Sequence, residues 1–457
     1  MLPSSKSLIR RVALCAAVCL PLVVSACGGS SSSGTAANVW SFDGGSTTVN
    51  ALGSYGTAGT AGGQPGARAQ AASWHDASGR LWMFGGNGYA ASGGAGELAD
   101  LWRYDTATSQ WTWVAGPSTT GTSGVYGTQG SSASTNWPGA RDSAQTWTDA
   151  AGNFWMYGGH GVDASGTSGM LGDLWEYSAG AWTWVGGSNS AGTATSATAP
   201  GARSAAATWI DSSGNLWMFG GNGFDSNDKQ GPLGDMWEYS GGKWALVGGS
   251  TLASAAGNWG LQGQAASTNV PSARYGAASW VDSSGHFWLF GGKGIDSSGK
   301  LGQLGDLWEF DPTTKSWTWV SGSALAQAIG VYGTSSVSLS GNTPGARAYA
   351  TAWSDANGNL WMFGGYGVDA YGVVAPLNDL WEYSTSTGLW TWVSGSNAVN
   401  AKGSYAGSGS NSANAAGARY GATGWIDSSG RLWFFGGAGL DATPTLGDLN
   451  DLWSYTP

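Results

Sequence analysis

Residues 345–393 read GARAYATAWSDANGNLWMFGGYGVDAYGVVAPLNDLWEYSTSTGLWTWV, and the pattern of this stretch occurs six times along the chain of 457 residues. Each copy begins at an arginine, which a tryptophan follows six residues later. The second glycine of a Gly-Gly pair then precedes an aspartate by fourteen residues in every copy. The starting arginines are Arg68, Arg141, Arg203, Arg274, Arg347 and Arg419. Constant spacing over six copies indicates a repeated structural unit.

Within one copy, four apolar runs alternate with turn signals, which predicts four antiparallel β-strands. In the fifth copy these runs are Ala346–Trp353, Asn359–Gly365, Asp379–Tyr383 and Leu389–Val393. The first run is rich in alanine, and small side chains suit a crowded centre where several sheets meet. We therefore predict an all-β protein whose sheets are arranged radially around an axis.

These motifs resemble the kelch repeat, whose hallmarks are a Gly-Gly pair after a hydrophobic strand and aromatic residues in the two strands that follow. The resemblance covers residues 38–457. It implies a six-bladed kelch-type β-propeller, similar to the central domain of galactose oxidase. Successive arginines are 73, 62, 71, 73 and 72 residues apart, whereas a kelch unit has about 50 residues. The surplus lies in long connections between strands.

The two chain ends predict how the ring of sheets closes. The sixth copy stops at Tyr455, one strand short, and the run Trp40-Ser-Phe42 has no three strands before it. Aligned on its aromatics, this run matches Trp390-Thr-Trp392. We expect the N-terminal run to be the fourth strand of the last blade, because closure would hide two sheet edges.

The N-terminus has the pattern of an export signal. Residues 1–26 contain three basic residues followed by an apolar run, which predicts a signal peptide. The end of this run resembles a bacterial lipoprotein signal, and the resemblance implies lipidation of Cys27. Residues 27–37 are rich in Gly and Ser and predict a flexible tether. We expect a lipid-anchored envelope protein, at the periplasmic side of the outer membrane or at the cell surface; ordinary signal cleavage is the alternative.

Composition limits the possible partners. Asp and Glu number 28 against 18 Lys and Arg, and without a basic stripe nucleic acid is not an expected partner. Cys15 and Cys19 lie in the signal, so the mature chain would have no disulfide of its own. We expect a monomer without a cofactor, stabilised by aromatic packing, since the chain has 30 tryptophans.

The connections between strands two and three (2–3) and between strand four and the next copy (4–1) are long, and both leave one face of a four-stranded sheet. We call this the long-loop face and expect protein or glycan partners there. The 4–1 connections repeat an aromatic residue at a fixed position: Tyr55, Tyr126, Trp259, Tyr332 and Tyr405. These rings either stack on a ligand or pin each loop to its sheet.

The position after each Gly-Gly pair varies while its neighbours do not: Asn87, His160, Asn222, Lys293, Tyr366 and Ala438. Such variety around one rim suits a specific ligand, although drift at exposed positions gives the same pattern. The connection from Val185 to Arg203 has eighteen residues where its siblings have 26 or 27, and it lacks the aromatic. We expect a notch there, with a pocket flanked by His160 and Asn222.

Two charged repeat positions have alternative interpretations. Aspartates recur in the 2–3 connections at Asp163, Asp225, Asp296, Asp369 and Asp441. They fit Asx-turns better than calcium loops, since only Asp225 approaches a calcium-binding run, together with Asp228. The starting arginines could bind an anion, but we expect each to pair with a carboxylate or with carbonyls of a neighbouring strand, the repeat aspartate being one candidate.

Kelch-like propellers include the copper enzyme galactose oxidase and a sialic-acid mutarotase, so the resemblance allows catalysis. The three histidines His75, His160 and His286 occupy different repeat positions, and we therefore expect no metal site. We assign no catalytic residue. The favoured hypothesis is a noncatalytic envelope protein that binds a protein or glycan. The alternatives are a carbohydrate-active enzyme or sugar epimerase with its site at the channel mouth, and a structural envelope component.

Overall fold

The computed structural model describes residues 38–457, and within this range every regular element is a β-strand. The strands form small antiparallel sheets, one set for each copy of the repeat. In the described range there is also no helix with the length and hydropathy to cross a membrane. The architecture is therefore all-β, and its repeated four-stranded sheets are consistent with a propeller.

Each copy supplies four strand positions, numbered here in chain order. Strand one is in two pieces: Arg68–Ala69 and Ala72–His75, Arg141–Asp142 and Gln145–Thr148, Arg203–Ser204 and Ala207–Ile210, Arg274–Tyr275 and Ala278–Val281, Arg347–Ala348 and Thr351–Ser354, Arg419–Tyr420 and Thr423–Ile426. Strand two comprises Leu81–Phe84 with Asn87–Gly88, Phe154–Val162, Leu216–Phe219 with Asn222–Phe224, Phe287–Phe290 with Lys293–Ile295, Leu360–Val368, and Leu432–Leu440.

Strands three and four complete the sheets. Strand three comprises Gly96–Glu97 with Leu101–Asp105, Ser168–Ser178, Gln230–Pro232 with Gly234–Ser240, Leu301–Gln303 with Gly305–Asp311, Val374–Ser384, and Leu446–Tyr455. Strand four comprises Gln110–Ala115, Ala181–Ser188, Lys243–Ser250, Ser316–Ser323 and Leu389–Ser394 in the first five copies. Three further strands are Trp40–Gly44, Ala61–Gly63 and Gly409–Ser410.

Strand one is interrupted where the sequence predicts one continuous run. In the fifth copy the expected strand Ala346–Trp353 is divided at Tyr349, whose φ of +57° is incompatible with an extended strand. Every copy has such a residue two positions after its arginine, with φ between +53° and +64°: Gln70, Ser143, Ala205, Gly276, Tyr349 and Gly421. The break is therefore a feature of the repeat.

These six left-handed residues form a closed ring of main-chain hydrogen bonds. Ser143 donates its N–H to the carbonyl of Gln70 at 2.8 Å, and Gln70 donates to Gly421 at 2.7 Å. The remaining donors and acceptors are Ala205 to Ser143, Gly276 to Ala205, Tyr349 to Gly276 and Gly421 to Tyr349. The next residue is alanine in every copy: Ala71, Ala144, Ala206, Ala277, Ala350 and Ala422. Both sets line one cavity, as the small residues of strand one predict.

The tryptophan of strand one joins neighbouring copies. Its indole N–H donates to a main-chain carbonyl in strand two of the next copy, at distances of 2.9–3.1 Å. The pairs are Trp74 with Trp155, Trp147 with Trp217, Trp209 with Trp288, Trp280 with Trp361, Trp353 with Trp433, and Trp425 with Trp82. A buried indole needs such an acceptor, which accounts for the constant position of this residue.

The N-terminal strand Trp40–Gly44 lies beside strand three of the sixth copy. It pairs antiparallel with Leu446–Tyr455, so that Phe42 is opposite Trp453. The ring of Trp40 lies 6.5 Å from that of Trp453. Asn38 donates its N–H to the carbonyl of Thr456 at 2.8 Å, near the end of the same sheet.

Strands two and three extend further than the sequence predicts. In the fifth copy Leu360–Val368 pairs with Val374–Ser384, which leaves only residues 369–373 as a turn. The prediction ended strand two at Gly365. Much of the 2–3 connection is therefore a β-ladder, and the variable residue after the Gly-Gly pair, here Tyr366, lies within that ladder opposite Pro376.

Candidate functional site

Each starting arginine is buried beside the aspartate of its own copy, which confirms the expected pairing with a carboxylate. Arg141 donates from Nη1 and Nη2 to the two carboxylate oxygens of Asp173, each at 2.8 Å. It also donates to the carbonyls of Gly139 and Gly158. Burial favours the neutral acid, but the Arg141 charge outweighs it and lowers the pKa of Asp173. These buried arginines tie strand one to strand three of their own sheet.

The aromatic residues of the 4–1 connections join the same network. The Tyr126 hydroxyl donates to Asp173 Oδ2 at 2.7 Å, and the Tyr126 ring lies edge-on to Trp184 at 5.3 Å. The equivalent contacts are Tyr55 with Asp100, Trp259 with Asp306, Tyr332 with Asp379 and Tyr405 with Asp451. Four of the five rings are only 5–8% exposed. Their burial supports the pinning alternative, because a ring that stacks on a ligand must be accessible.

In the third copy a hydroxyl side chain, that of Thr195, takes the place of this aromatic residue. Thr195 Oγ1 accepts a hydrogen bond from Arg203 Nη2 at 3.2 Å and donates to the carbonyl of Phe224 at 2.8 Å. The short connection before the third copy is thus tied to its sheet by a much smaller side chain.

The aspartates of the 2–3 connections form the expected Asx-turns. Asp163 Oδ1 accepts the main-chain N–H groups of Ser165 and Thr167, and Oδ2 accepts that of Ala191 from the 4–1 connection. The other members of the set bind two turn N–H groups in the same way: Asp225, Asp296, Asp369 and Asp441. Because these oxygens already accept main-chain donors, the arrangement supports capping over calcium binding.

The six variable positions are equivalent in their sheets and lie beside the closed ring of left-handed residues. Each is opposite the residue that follows the starting arginine, as His160 is opposite Asp142 and Lys293 is opposite Tyr275. Five members are half-buried: Asn87, His160, Asn222, Lys293 and Ala438. Tyr366 is 38% exposed. We call these six residues, together with the residues opposite them, the axial rim.

One side of the axial rim is acidic. His160 Nδ1 lies 3.3 Å from Glu97 Oε1 and 4.0 Å from Asp142 Oδ2. Glu97 comes from the first copy and the other two residues from the second, so the cluster exists only where two copies meet. Burial raises the pKa of Asp142 to about 6, Ser143 and His160 oppose this shift, and the Glu97 charge adds to it.

The opposite side of the rim is aromatic. The ring of Tyr349 lies 6.2 Å from Tyr275 and 6.5 Å from Tyr420, and Tyr420 lies 5.5 Å from Tyr366. Tyr349 covers Gly276, where a Cβ atom would lie 3.0 Å from its Cε1. Burial raises the pKa of Tyr349, and Tyr275, Asp142 and Tyr420 add to the shift. In the closed ring of hydrogen bonds the fifth copy, which carries Tyr349, is three steps from the second copy, which carries Asp142, so the aromatic and acidic sides belong to opposite parts of the ring.

A third carboxylate of the rim belongs to the aromatic side. Asp448 is opposite Ala438 in the ladder of the sixth copy. Burial raises its pKa to about 6, and its charge contributes to the raised pKa of Tyr420. The rim thus combines two carboxyl groups whose pKa burial raises to about 6 with tyrosine rings, of which that of Tyr366 is exposed.

The sequence reasoning missed these contacts, because it treated the histidines as isolated. Two groups of side chains could hold a metal ion, each with ligand atoms within 4.8 Å of one another: Glu97, Asp142 and His160, and Asp282, His286 and Glu309. In the second group the Asp282 carboxylate already accepts hydrogen bonds from two main-chain N–H groups of a turn and from the Trp288 indole. His75, the third histidine, belongs to neither group and is exposed at the end of strand one of the first copy. The first group alone belongs to the axial rim.

The short 185–203 connection leaves a cleft, but not where we expected it. The cleft has a volume of about 320 Å³ and lies between Val185 and Thr198 on one side and Tyr239 and Trp244 on the other. His160 and Asn222 do not line it, so the predicted flanking residues are wrong. They belong to the axial rim, whereas the short connection uncovers the outer strand of the third copy.

The signal at residues 1–26, the tether at 27–37 and the lipidation site Cys27 lie outside the described residues. No protein-family model matches the chain, and no curated protein is significantly similar to it in sequence.

Proposed function

We propose that the chain forms a six-bladed kelch-type β-propeller, with residues 40–44 as the fourth strand of the last blade. The two rings of hydrogen bonds support six blades, because each ring passes once through all six copies and returns to its start. Pairing of Trp40–Gly44 with Leu446–Tyr455 supports closure.

We further propose that the protein is a noncatalytic binding protein, whose ligand is a glycan held at the axial rim. The observation that carries this proposal is the arrangement of Tyr275, Tyr349, Tyr366 and Tyr420 opposite Glu97, Asp142 and His160. Aromatic faces pack on the apolar faces of sugar rings, and carboxylate and imidazole groups bind hydroxyls.

The test is a titration of the full-length protein with a panel of mono- and oligosaccharides by calorimetry. Tyr366→Ala should weaken binding of a positive sugar about tenfold, because an exposed stacking face is removed. Tyr371→Ala is the matched control, since Tyr371 is 71% exposed in the 2–3 turn and lies off the rim. Equal losses in both variants, or no binding by any sugar, would reject a glycan site at the rim.

A carbohydrate-active enzyme at the same mouth is the second candidate. The raised pKa of Asp142 favours it, because a carboxyl group that titrates near pH 6 beside Glu97 and His160 can exchange protons near neutral pH. Incubation with the sugar panel, followed by NMR of anomers and products, tests this function. Turnover that disappears in Asp142→Asn would establish it, whereas binding without turnover favours the first candidate.

We propose that a lipid on Cys27 anchors the protein in the bacterial envelope with the axial rim directed away from the membrane. Asn38 lies beside Thr456, at the sheet end opposite the long-loop face, which supports this orientation. Fatty-acid labelling of expressed wild type and Cys27→Ser, followed by membrane fractionation, tests the anchor. The variant should lose both the label and the membrane association.

A further inference from the structure

In five copies, the 4–1 connection that precedes the copy covers the outer edge of strand four. The cover is a short strand in the first and sixth copies, and a segment of turns with a single bridge or main-chain hydrogen bonds to strand four in the other three. The contacts are Ala61–Gly63 with Gln110–Ala115, Ala133 with Trp182, Ala266 with Trp317, Ser336 with Trp392, and Gly409–Ser410 with Trp40–Gly44. Most outer edges of the molecule are therefore closed by its own connections.

Two of the covers share one chemistry. In the second copy Gly130 donates its N–H to the carbonyl of Trp184 at 2.8 Å, and the Asn136 amide donates to the carbonyl of Trp182 at 3.1 Å. The Gln129 side-chain amide donates to the main-chain carbonyl of Val185 at 3.1 Å. The fourth copy repeats these contacts with Gly263, Asn269 and Gln262. The two covers read QGSSASTN at 129–136 and QGQAASTN at 262–269. Each is an uncharged run of small residues between two amides, with one bridged residue between two turns.

The third copy has no such cover. Its strand four, Lys243–Ser250, is the edge of a four-stranded sheet. Within residues 38–457, no group outside this sheet donates a hydrogen bond to the carbonyls of Trp244 or Leu246, which correspond to the covered carbonyls of the sibling strands. Leu246 is 40% exposed. The short connection before this copy is too brief to repeat the path of its siblings.

Strand four of the third copy, which lacks the cover, also differs from its siblings in composition. Four sibling strands carry Thr and then Trp where this strand has Ala245 and Leu246. The strand of the sixth copy carries Ser41 and Phe42 there. In the second copy the tryptophan, Trp184, packs against Tyr126 of the cover. The third copy lacks both the covering aromatic and the tryptophan. The cleft beside Trp244 continues this open edge and provides room for the side chains of an added strand.

We propose that Lys243–Ser250 is a docking edge for an uncharged segment of a partner protein, which adds as a fifth strand in the way that Ala61–Gly63 does in the first copy. The segment would place small residues against Ala245 and an amide side chain near the carbonyl of Trp244. Such strand addition derives affinity from main-chain hydrogen bonds and specificity from alternate side chains. The docking edge is independent of the axial rim and of any glycan bound there.

A labelled peptide with the sequence LQGQAASTNV, which is that of residues 261–270, serves as the probe. Fluorescence anisotropy with the full-length protein should give saturable binding at one peptide per protein. Leu246→Pro should weaken binding about tenfold or more, because proline removes an outward N–H group and its ring obstructs the approaching strand. Proline is tolerated at an edge, and a thermal unfolding curve of the variant checks that it is folded.

A second variant tests the same edge without proline. Residues 189–202 are replaced by a second copy of residues 251–273, the connection of the fourth copy, so that the chain covers its own edge. This graft should abolish peptide binding while sugar binding at the axial rim is unchanged. The proposal is overturned if the wild type does not bind the peptide, or if the proline variant and the graft bind it as well as the wild type.

Discussion

At the scale of single residues, some buried charged side chains have a partner of opposite charge within their sheet, and others do not. Arg141 and Asp173 are fully buried, and each satisfies the other through two hydrogen bonds. Asp142 follows directly after Arg141, yet in the described part of the chain no lysine or arginine pairs with it. A buried carboxylate without a cation costs stability. Such a cost is typical of residues that are retained for function.

The raised pKa of Asp142 predicts a pH-dependent stability difference. Because the folded state holds this proton up to about pH 6, and the unfolded chain loses it near pH 4, ionisation between these values destabilises the fold. Asp142→Asn removes the ionisation. The variant should therefore be more stable than the wild type at pH 8, by about 1–3 kcal/mol, and should lose this advantage at pH 4.

Urea unfolding at pH 4, 6 and 8 measures this effect. Asp228→Asn is the control, because Asp228 is exposed in a turn with φ +59°, a conformation that asparagine also adopts. An advantage of Asp142→Asn that is the same at all three pH values would contradict the burial of an uncompensated charge.

At the scale of elements, the connections are ordered because their side chains reach into the sheets. The Tyr126 hydroxyl adds a third side-chain donor to Asp173, beside those of Arg141 and Trp175. Tyr126→Phe removes this donor while the ring stays in place. We expect a loss of about 1–2 kcal/mol in the free energy of unfolding, with faster amide exchange in residues 121–137 and unchanged sugar binding.

Hydrogen exchange with mass spectrometry, together with urea unfolding, tests this pinning role. Tyr371→Phe is the control, because the Tyr371 side chain is 71% exposed. A loss of sugar binding in Tyr126→Phe without faster exchange would instead assign the ring to a ligand.

Repeat spacing predicts the elements well, because each copy is a local pattern. The strands, the Asx-turns and the arginine pairs follow from residues that recur at fixed positions. The division of strand one at Tyr349 does not, since residues as different as Gln70 and Gly421 adopt the same left-handed conformation there. That conformation is imposed by hydrogen bonds between copies, which no single copy encodes.

The sequence predicts the six variable positions of the axial rim but not its acidic cluster, for a related reason. Glu97 and His160 belong to different copies, and their contact depends on the rotation between two sheets. The uncovered edge was anticipated only in part. The short 185–203 connection indicates that one strand lacks a cover. Which strand this is depends on the strand that each 4–1 connection covers, and only the folded structure shows that.

At the scale of the whole molecule, the first strand of the described range and the last one meet in one sheet. Trp40 is 7% exposed and packs against Phe363 and Phe434 at ring distances of 5.1 and 5.5 Å. These two residues come from different copies, so Trp40 bridges the fifth and the sixth sheets. Loss of this bridge would open the molecule at the junction between its ends.

Trp40→Ala should therefore destabilise the protein far more than its peripheral position in the sequence suggests. Removal of a buried tryptophan costs about 3–5 kcal/mol, and release of Trp40–Gly44 would leave Leu446–Tyr455 as an unpaired edge that invites self-association. Urea unfolding and light scattering of the full-length protein measure both effects. Leu52→Ala is the control, because Leu52 is 51% exposed in the same N-terminal region. If Trp40→Ala is as stable and as monomeric as this control, residues 40–44 do not close the last sheet.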